Sequence, residues 1–114
     1  MTEKKMIGDA GEERAVEYLE KIGYTIVQRN FRAKYGELDI IACDDDILAV
    51  IEVKTRKDSE FAGASDSVTS AKQKKIKKTT LYWLTNKKDE TPVRFDVIEV
   101  YSNGDINHIT DAFQ

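Results

Sequence analysis

Asp39, Glu52 and Lys54 stand where apolar strands should carry no charge. They lie in the stretch G-E-L-D-I-I-A-C-D-D-D-I-L-A-V-I-E-V-K-T-R, Gly36 to Arg56, which reads as two apolar strands joined by an acidic turn. A carboxylate inside such a run is unfavourable unless it is paired or holds a metal. Side chains alternate along a strand. Glu37, Asp39, Ile41 and Cys43 therefore share one face of the first strand, and Leu48, Val50, Glu52, Lys54 and Arg56 share one face of the second. If Asp45 and Asp46 form a two-residue turn, Asp44 faces Ile47, Asp39 faces Glu52 and Glu37 faces Lys54. Opposed side chains then sit about 5 Å apart on one face. A one-residue slip would send Asp39 to the other face, and a bulge could restore it.

Two carboxylates at that separation repel when both are ionised, and a divalent cation resolves the repulsion. Oxygen ligands suit Mg²⁺ or Mn²⁺, and Mg²⁺ commonly uses one or two carboxylates with water and phosphate oxygens. Lys54, two residues from Glu52 on the same face, can place positive charge beside an attacking water or a developing phosphorane. These parts suit metal-dependent hydrolysis of a phosphodiester. A buried Asp–Lys or Glu–Lys ion pair without chemistry explains the same spacing, and spacing alone does not choose between them. Arg32 and Arg56 flank the stretch and suit phosphate contacts. Glu37 has two readings, a supporting carboxylate or a partner of Lys54.

Around this hairpin the chain supplies few elements. Asp9 to Ile22 reads as an amphipathic helix, with Ala15, Tyr18, Leu19 and Ile22 at helical spacing and Val16 widening the stripe. Asp9 has the composition of a cap, with Glu12 at the capping-box spacing, and Gly23 suits the C′ position. Glu13, Glu17 and Glu20 fall on the outward face, whereas Glu12 falls at the edge of the buried stripe. Glu12 either serves the helix terminus or aims at a site beside the sheet. Gly11, also inward, permits close approach of a neighbour. Tyr24 to Phe31 is a strand, Tyr35-Gly36 a turn, and Glu37 to Cys43 and Ile47 to Thr55 are the hairpin. The polar run Lys57 to Thr69 is a long loop. Ser70 to about Asn86 is a second helix, with Ile76, Thr79, Thr80, Trp83 and Leu84 inward and Leu81 and Tyr82 broadening that stripe. Val93 to Tyr101 is a strand, Asn103-Gly104 a hairpin turn, and Ile106 to Ile109 a short edge strand followed by a tail. The order is α-β-β-β-α-β-β: one α/β domain spanning 1–114, with a central mixed sheet flanked by helices. Within it, His108 is expected at the surface, Cys43 as packing, Asp44, Asp45 and Asp46 as a solvated turn, and Trp83 and Tyr82 in the core.

The chain has 114 residues, 40% hydrophobic and 34% charged, with one cysteine and a formal net charge of -3. A lone cysteine excludes an internal disulfide framework and fits a reducing compartment. The first residues carry no apolar signal region, and no apolar run reaches the ~20 residues that span a bilayer. A cytoplasmic protein without membrane contact is expected. Global charge does not announce a polyanion partner, but its distribution is uneven and leaves one basic face. Seven lysines, including Lys72 and Lys75, and no acid lie between Lys72 and Lys88. Such a face binds nucleic-acid backbone or is simply solvated.

Asp39 followed by Glu52-Val53-Lys54 resembles the D-(x)n-E-x-K core of the PD-(D/E)xK, or restriction-endonuclease-like, nucleases. Leu38 stands where that family usually has proline. Over nearly its whole length the chain resembles the YraN-like family of bacterial proteins. The matching segments are G-D-A-G-E (Gly8 to Glu12), G-Y-T-I-V-Q-R-N-F-R (Gly23 to Arg32), G-E-L-D-I-I-A (Gly36 to Ala42), I-E-V-K-T-R (Ile51 to Arg56), the helix beginning near Lys72, and R-F-D-V-I (Arg94 to Ile98). That family is similar to archaeal Holliday-junction resolvases. The resemblance implies the restriction-endonuclease-like fold and metal ligation by Asp39, Glu52 and the Val53 carbonyl. It implies catalytic roles for Lys54 and for Glu12, and it places Lys72 where it could reach a phosphate. It implies DNA more than RNA as partner, and junction resolvases act as homodimers because two strands must be cut. Three readings follow: a Mg²⁺- or Mn²⁺-dependent nuclease, a nucleic-acid-binding protein that keeps the fold without turnover, and a structural ion-pair cluster with a protein partner elsewhere.

Overall fold

The computed structural model describes residues 3–57, 68–85, 87 and 91–114, with side chains from Asp9 onward. Helix α1 (Glu3–Lys21) leads into strands β1 (Thr25–Ala33), β2 (Gly36–Asp44) and β3 (Ile47–Arg56). Helix α2 (Ser70–Thr85) follows, then strands β4 (Val93–Tyr101) and β5 (Ile106–Phe113). The order is the expected α-β-β-β-α-β-β. Most of the expected loop (58–67), Asn86 and residues 88–90, with Lys88 of the lysine run, lie outside the described residues.

The strands form one sheet in the order β1-β2-β3-β4-β5. Only β3 and β4 are parallel, with α2 connecting them; the other neighbours are antiparallel. The two-residue Asp45–Asp46 turn sets Asp44 opposite Ile47, as the alternation requires. The central strand is apolar on both faces, as expected of a strand covered twice. Ala49 and Ile51 pack with Ile40, Ala42, Ile98 and the α1 residues Ala15, Val16 and Leu19. Leu48 and Val50 pack with Ile41, Val97 and the α2 residues Ile76 and Trp83. A helix thus covers each face, and the residues after Ile51 must continue the alternation or break it.

Local signals explain the helix ends. Gly23, at φ 99°, closes α1: its N–H donates to the Glu20 carbonyl and the Tyr24 N–H to the Leu19 carbonyl. That bond pair is a Schellman motif, in which glycine meets no Cβ penalty. Thr69 caps α2 by accepting the Lys72 N–H at 3.2 Å. Among the described residues no helix is long and apolar enough to cross a membrane.

Several expectations require correction. Helix α1 begins at Glu3, so Asp9 lies inside it and is no cap. Ile22 is 47% exposed, because it belongs to the C-terminal turn rather than to the packed stripe. Leu81 and Tyr82 are 65% and 48% exposed, so the inward stripe of α2 is narrower than hydrophobicity alone implies. Strand β5 runs to Phe113, where a tail was expected, because pairing with β4 continues to Phe95↔Phe113. His108 is not a surface residue: its side chain is 7% exposed and turns inward onto Asp96.

Candidate functional site

Pairing of β2 with β3 runs from Asp44↔Ile47 to Ile40↔Ile51, so the next step along both strands brings Asp39 and Glu52 opposite each other. There the ladder changes character. The Val53 N–H donates to Asp39 Oδ2 at 2.9 Å, so a side chain takes the amide that a strand carbonyl would otherwise take. On the other side of β2, Arg29↔Ile40 and Phe31↔Leu38 pair, leaving Asn30 across from Asp39. Asn30 has φ 53°. Asparagine tolerates this left-handed conformation better than most residues. Leu38 and Ile41, three apart, pack in the same core, so strict alternation is broken between them. Asp39 sits at the break. It lines a pocket of about 380 Å³ with Glu12, Asn30, Arg32 and Val53. It also lines a second of about 190 Å³ with Glu52, Lys72 and Lys75.

Charge is concentrated where these pockets meet. Burial, then the negative charge of Glu52, pushes the Asp39 carboxyl up to about 7, against the Val53 amide that favours its ionised form; Glu12 and Glu37 add to the rise. Glu52 is buried, and its carboxylate pairs with Lys54 Nζ at 3.8 Å and with Lys72 Nζ. Burial and the neighbouring Lys72 charge lower the pKa of Lys54. Burial opposes charge on Lys72 as well, but the Glu52 carboxylate outweighs it and raises that pKa. Glu12 arrives from α1. Gly11 lets the helix approach Thr55 so closely that a Cβ there would clash with the threonine methyl. Burial raises the Glu12 pKa, although Arg29 Nε lies 3.4 Å from its carboxylate.

The structure therefore brings Asp39, Glu52, Lys54, Lys72 and Lys75 together, with Glu12 and Arg32 around the adjoining pocket. Arg32 is 73% exposed at its side chain and lies 3.5 Å from Glu37. Arg56 faces elsewhere: its Nε donates to the fully buried Glu99 at 3.2 Å, and it lines a separate pocket of about 640 Å³ with Gly11 and Thr55. Among the described residues no three His, Cys, Asp or Glu side chains form a metal-binding group. A cation here would thus rest on two carboxylates, the Val53 carbonyl and water. Burial is the larger cause of the raised Asp39 pKa, and the repulsion from Glu52 that adds to it is what a cation would relieve.

A second polar cluster escaped the sequence reading. Asp96, fully buried on β4, accepts from Arg94 Nε at 2.8 Å, Arg94 Nη2 at 2.9 Å and the Asp111 N–H at 3.0 Å, and lies 2.9 Å from His108 Nε2. Arg94 also reaches Asp44 and the Tyr24 hydroxyl, and His108 Nδ1 lies 3.1 Å from the Tyr18 hydroxyl. The signal was present: Asp96 and Glu99 are carboxylates in an apolar run, V-R-F-D-V-I-E-V-Y, as Asp39 is.

These features define a small α/β protein whose mixed sheet opens, beside its central strand, into a cluster of carboxylates and lysines. Residues 11–100 match the profile of the uncharacterised protein family UPF0102, and the chain belongs to that family. A UPF0102 protein of Caldicellulosiruptor saccharolyticus is 44% identical over 116 residues, covering 96% of this chain and 98% of the relative. One of Thermodesulfovibrio yellowstonii is 45% identical over 107 residues, covering 94% and 95%. One of Clostridium perfringens is 42% identical over 116 residues, covering 96% and 95%.

Proposed function

We propose that this protein is a Mg²⁺- or Mn²⁺-dependent nuclease of restriction-endonuclease-like type that hydrolyses phosphodiester bonds in DNA, with branched or junction structures as candidate substrates. The carrying observation is Asp39, a carboxylate pushed up to about 7 by burial and by Glu52, in a pocket that also holds lysines. Asp39, Glu52 and the Val53 carbonyl are the residues that would hold the cation. When bound, it would polarise a phosphate oxygen and acidify a water. Lys54, its pKa lowered by burial and Lys72, exchanges a proton more readily than a surface lysine and orients the attacking water. Glu12 positions water from the α1 side. Lys72, Lys75 and Arg32 take the phosphate backbone, while Arg56 is engaged with Glu99 in the separate pocket.

A second reading has its own support. Lys54 and Lys72 both pair with Glu52, so the cluster carries its own counter-charges. That favours a nucleic-acid-binding protein without turnover.

A cleavage screen over single-stranded, duplex, flapped and four-way-junction DNA in Mg²⁺ or Mn²⁺ separates the two. The nuclease reading expects product from the native protein and a loss of about 10²–10³-fold in Lys54→Ala or Glu52→Ala, the scale of removing one transition-state stabiliser. Undiminished cleavage in Lys54→Ala overturns it. Salt-sensitive binding without product favours the second reading.

A further inference from the structure

We propose that Tyr35 and Tyr82 form a stacking platform for unpaired bases beside the carboxylate–lysine cluster, so that the nucleic acid this site takes carries a single-stranded stretch. The proposal rests on the reading of the site as a nucleic-acid site and narrows its substrate class.

The two rings come from different elements, the β1–β2 turn and the outer side of α2. Their centroids lie 6.5 Å apart at 69°, and Phe31 backs Tyr82 at 6.3 Å. Phe31 itself packs on the core, so the platform has a rigid base. Tyr35 is 38% exposed and Tyr82 48%. Lys78 Nζ lies over the Tyr35 ring, 4.7 Å from its centroid, and Lys34 Nζ over it at 6.0 Å, so a base that stacks on Tyr35 displaces a lysine from the ring to a phosphate. Half-exposed aromatic rings flanked by lysines match what an unpaired nucleotide offers, an apolar base face and a phosphate.

The platform is continuous with the site. Gly36, next to Tyr35, lies so near α2 that a Cβ there would meet Thr79 Oγ1 at 3.1 Å and Lys75 Cβ at 3.7 Å, and Gly36 and Lys75 line the pocket that holds Asp39 and Glu52. Lys72, Lys75, Thr79 and Tyr82 follow one another at i+3 and i+4 spacing on one face of α2. At 1.5 Å per residue, Lys75 to Tyr82 spans about 10 Å. A strand whose phosphates follow Lys75 and Lys78 brings its bases to the tyrosines. In continuous duplex both faces of a base are already stacked, so only an unpaired base can present one. A duplex would gain the lysine contacts alone.

Fluorescence anisotropy on the whole chain tests this, with a labelled 12-nucleotide single strand and its blunt duplex, in EDTA so that no cleavage intervenes. The single strand should bind more tightly than the duplex. Tyr35→Ala/Tyr82→Ala should weaken single-strand binding about tenfold and duplex binding little, while Tyr82→Phe retains affinity. Tyr82→Trp guards against misfolding of the double variant: its added fluorescence should be quenched by oligo(dT). Equal affinities in native and alanine proteins, no preference for the single strand, or no quenching each overturn the platform. The hydrolytic reading is judged separately. A native protein that binds through its tyrosines but cuts nothing upholds the platform alone. One that loses cleavage in Lys54→Ala but is indifferent to Tyr35→Ala/Tyr82→Ala upholds hydrolysis alone.

Discussion

Asp39 and Asp96 occupy equivalent predicaments and end in opposite electrostatic states. Each is a carboxylate in an apolar strand, at a break in the pairing, beside a neighbouring strand with a left-handed residue: Asn30 for one, Asp111 for the other, both at φ 53°. Each accepts one backbone amide, from Val53 and from Asp111 respectively. The difference lies in the side chains around them. Burial works against the Asp96 charge, but His108, Arg94 and the Asp111 amide outweigh it and hold its pKa below the usual carboxylate value. For Asp39 burial comes first, then Glu52, with Glu12 and Glu37 adding, and together they push it up to about 7 against the Val53 amide. Asp96 is a satisfied keystone: His108 and the Asp111 amide tie it to β5, and through His108 and Arg94 it reaches Tyr18 of α1 and Asp44 of β2. Asp39 is left with repulsion that only a proton or a cation removes, which is the state expected of a working site.

The largest effect that tests this contrast is on stability. Asp96→Ala strands Arg94 and His108 without their carboxylate and should cost about 3–5 kcal/mol in urea unfolding. A loss under 1 kcal/mol would make the two aspartates alike. Asp39 should behave in the opposite sense. Its folded pKa lies above the value of 3.8 for a free side chain, so its contribution to stability is fully present below about pH 4 and is lost as pH rises through about 7. Asp39→Asn keeps an acceptor for the Val53 amide and should raise Tm at pH 8. It should also flatten the fall in stability between about pH 4 and 7 relative to the native protein. Mg²⁺ should raise the native Tm at pH 8 and leave that of Asp39→Asn unchanged. A lower Tm in Asp39→Asn at pH 8 counts against the repulsion. The smallest effect concerns the kink. Asn30→Val forces a β-branched residue into the left-handed region and should cost about 1–2 kcal/mol, while Asn30→Gly should not. Equal stability of the two variants would show that Asn30 does not hold the break.

Much of this architecture was legible because it rests on local or periodic rules. The Asp45–Asp46 turn, the register of β2 against β3, Gly23 as the end of α1 and the element order all follow from residues within a few positions of one another. Lys54 sharing the face of Glu52 needed only alternation. The pairing of Lys72 with Glu52 was not legible, since the two come from different elements and meet only when α2 packs on the sheet. The inward turn of His108 depended on Asp96 of β4 and Tyr18 of α1, which meet its ring only in the folded chain. Exposure of Tyr82 beside buried Trp83 depended on the rotation of α2, which hydrophobicity alone did not resolve.

By itself, then, the sequence determined where charges stand along each strand, because a period of two and a two-residue turn leave little freedom. It could not determine which of those charges find partners. Asp39, Asp96 and Glu99 look alike in the chain. Arg94 shares the face of Asp96 by alternation, but only tertiary packing brings His108 to that carboxylate, Arg56 and Asn107 to Glu99, and Glu12 to Asp39. The physical reason is that burial makes every charge expensive, while the sign and geometry of its non-local neighbours decide whether that expense is relieved.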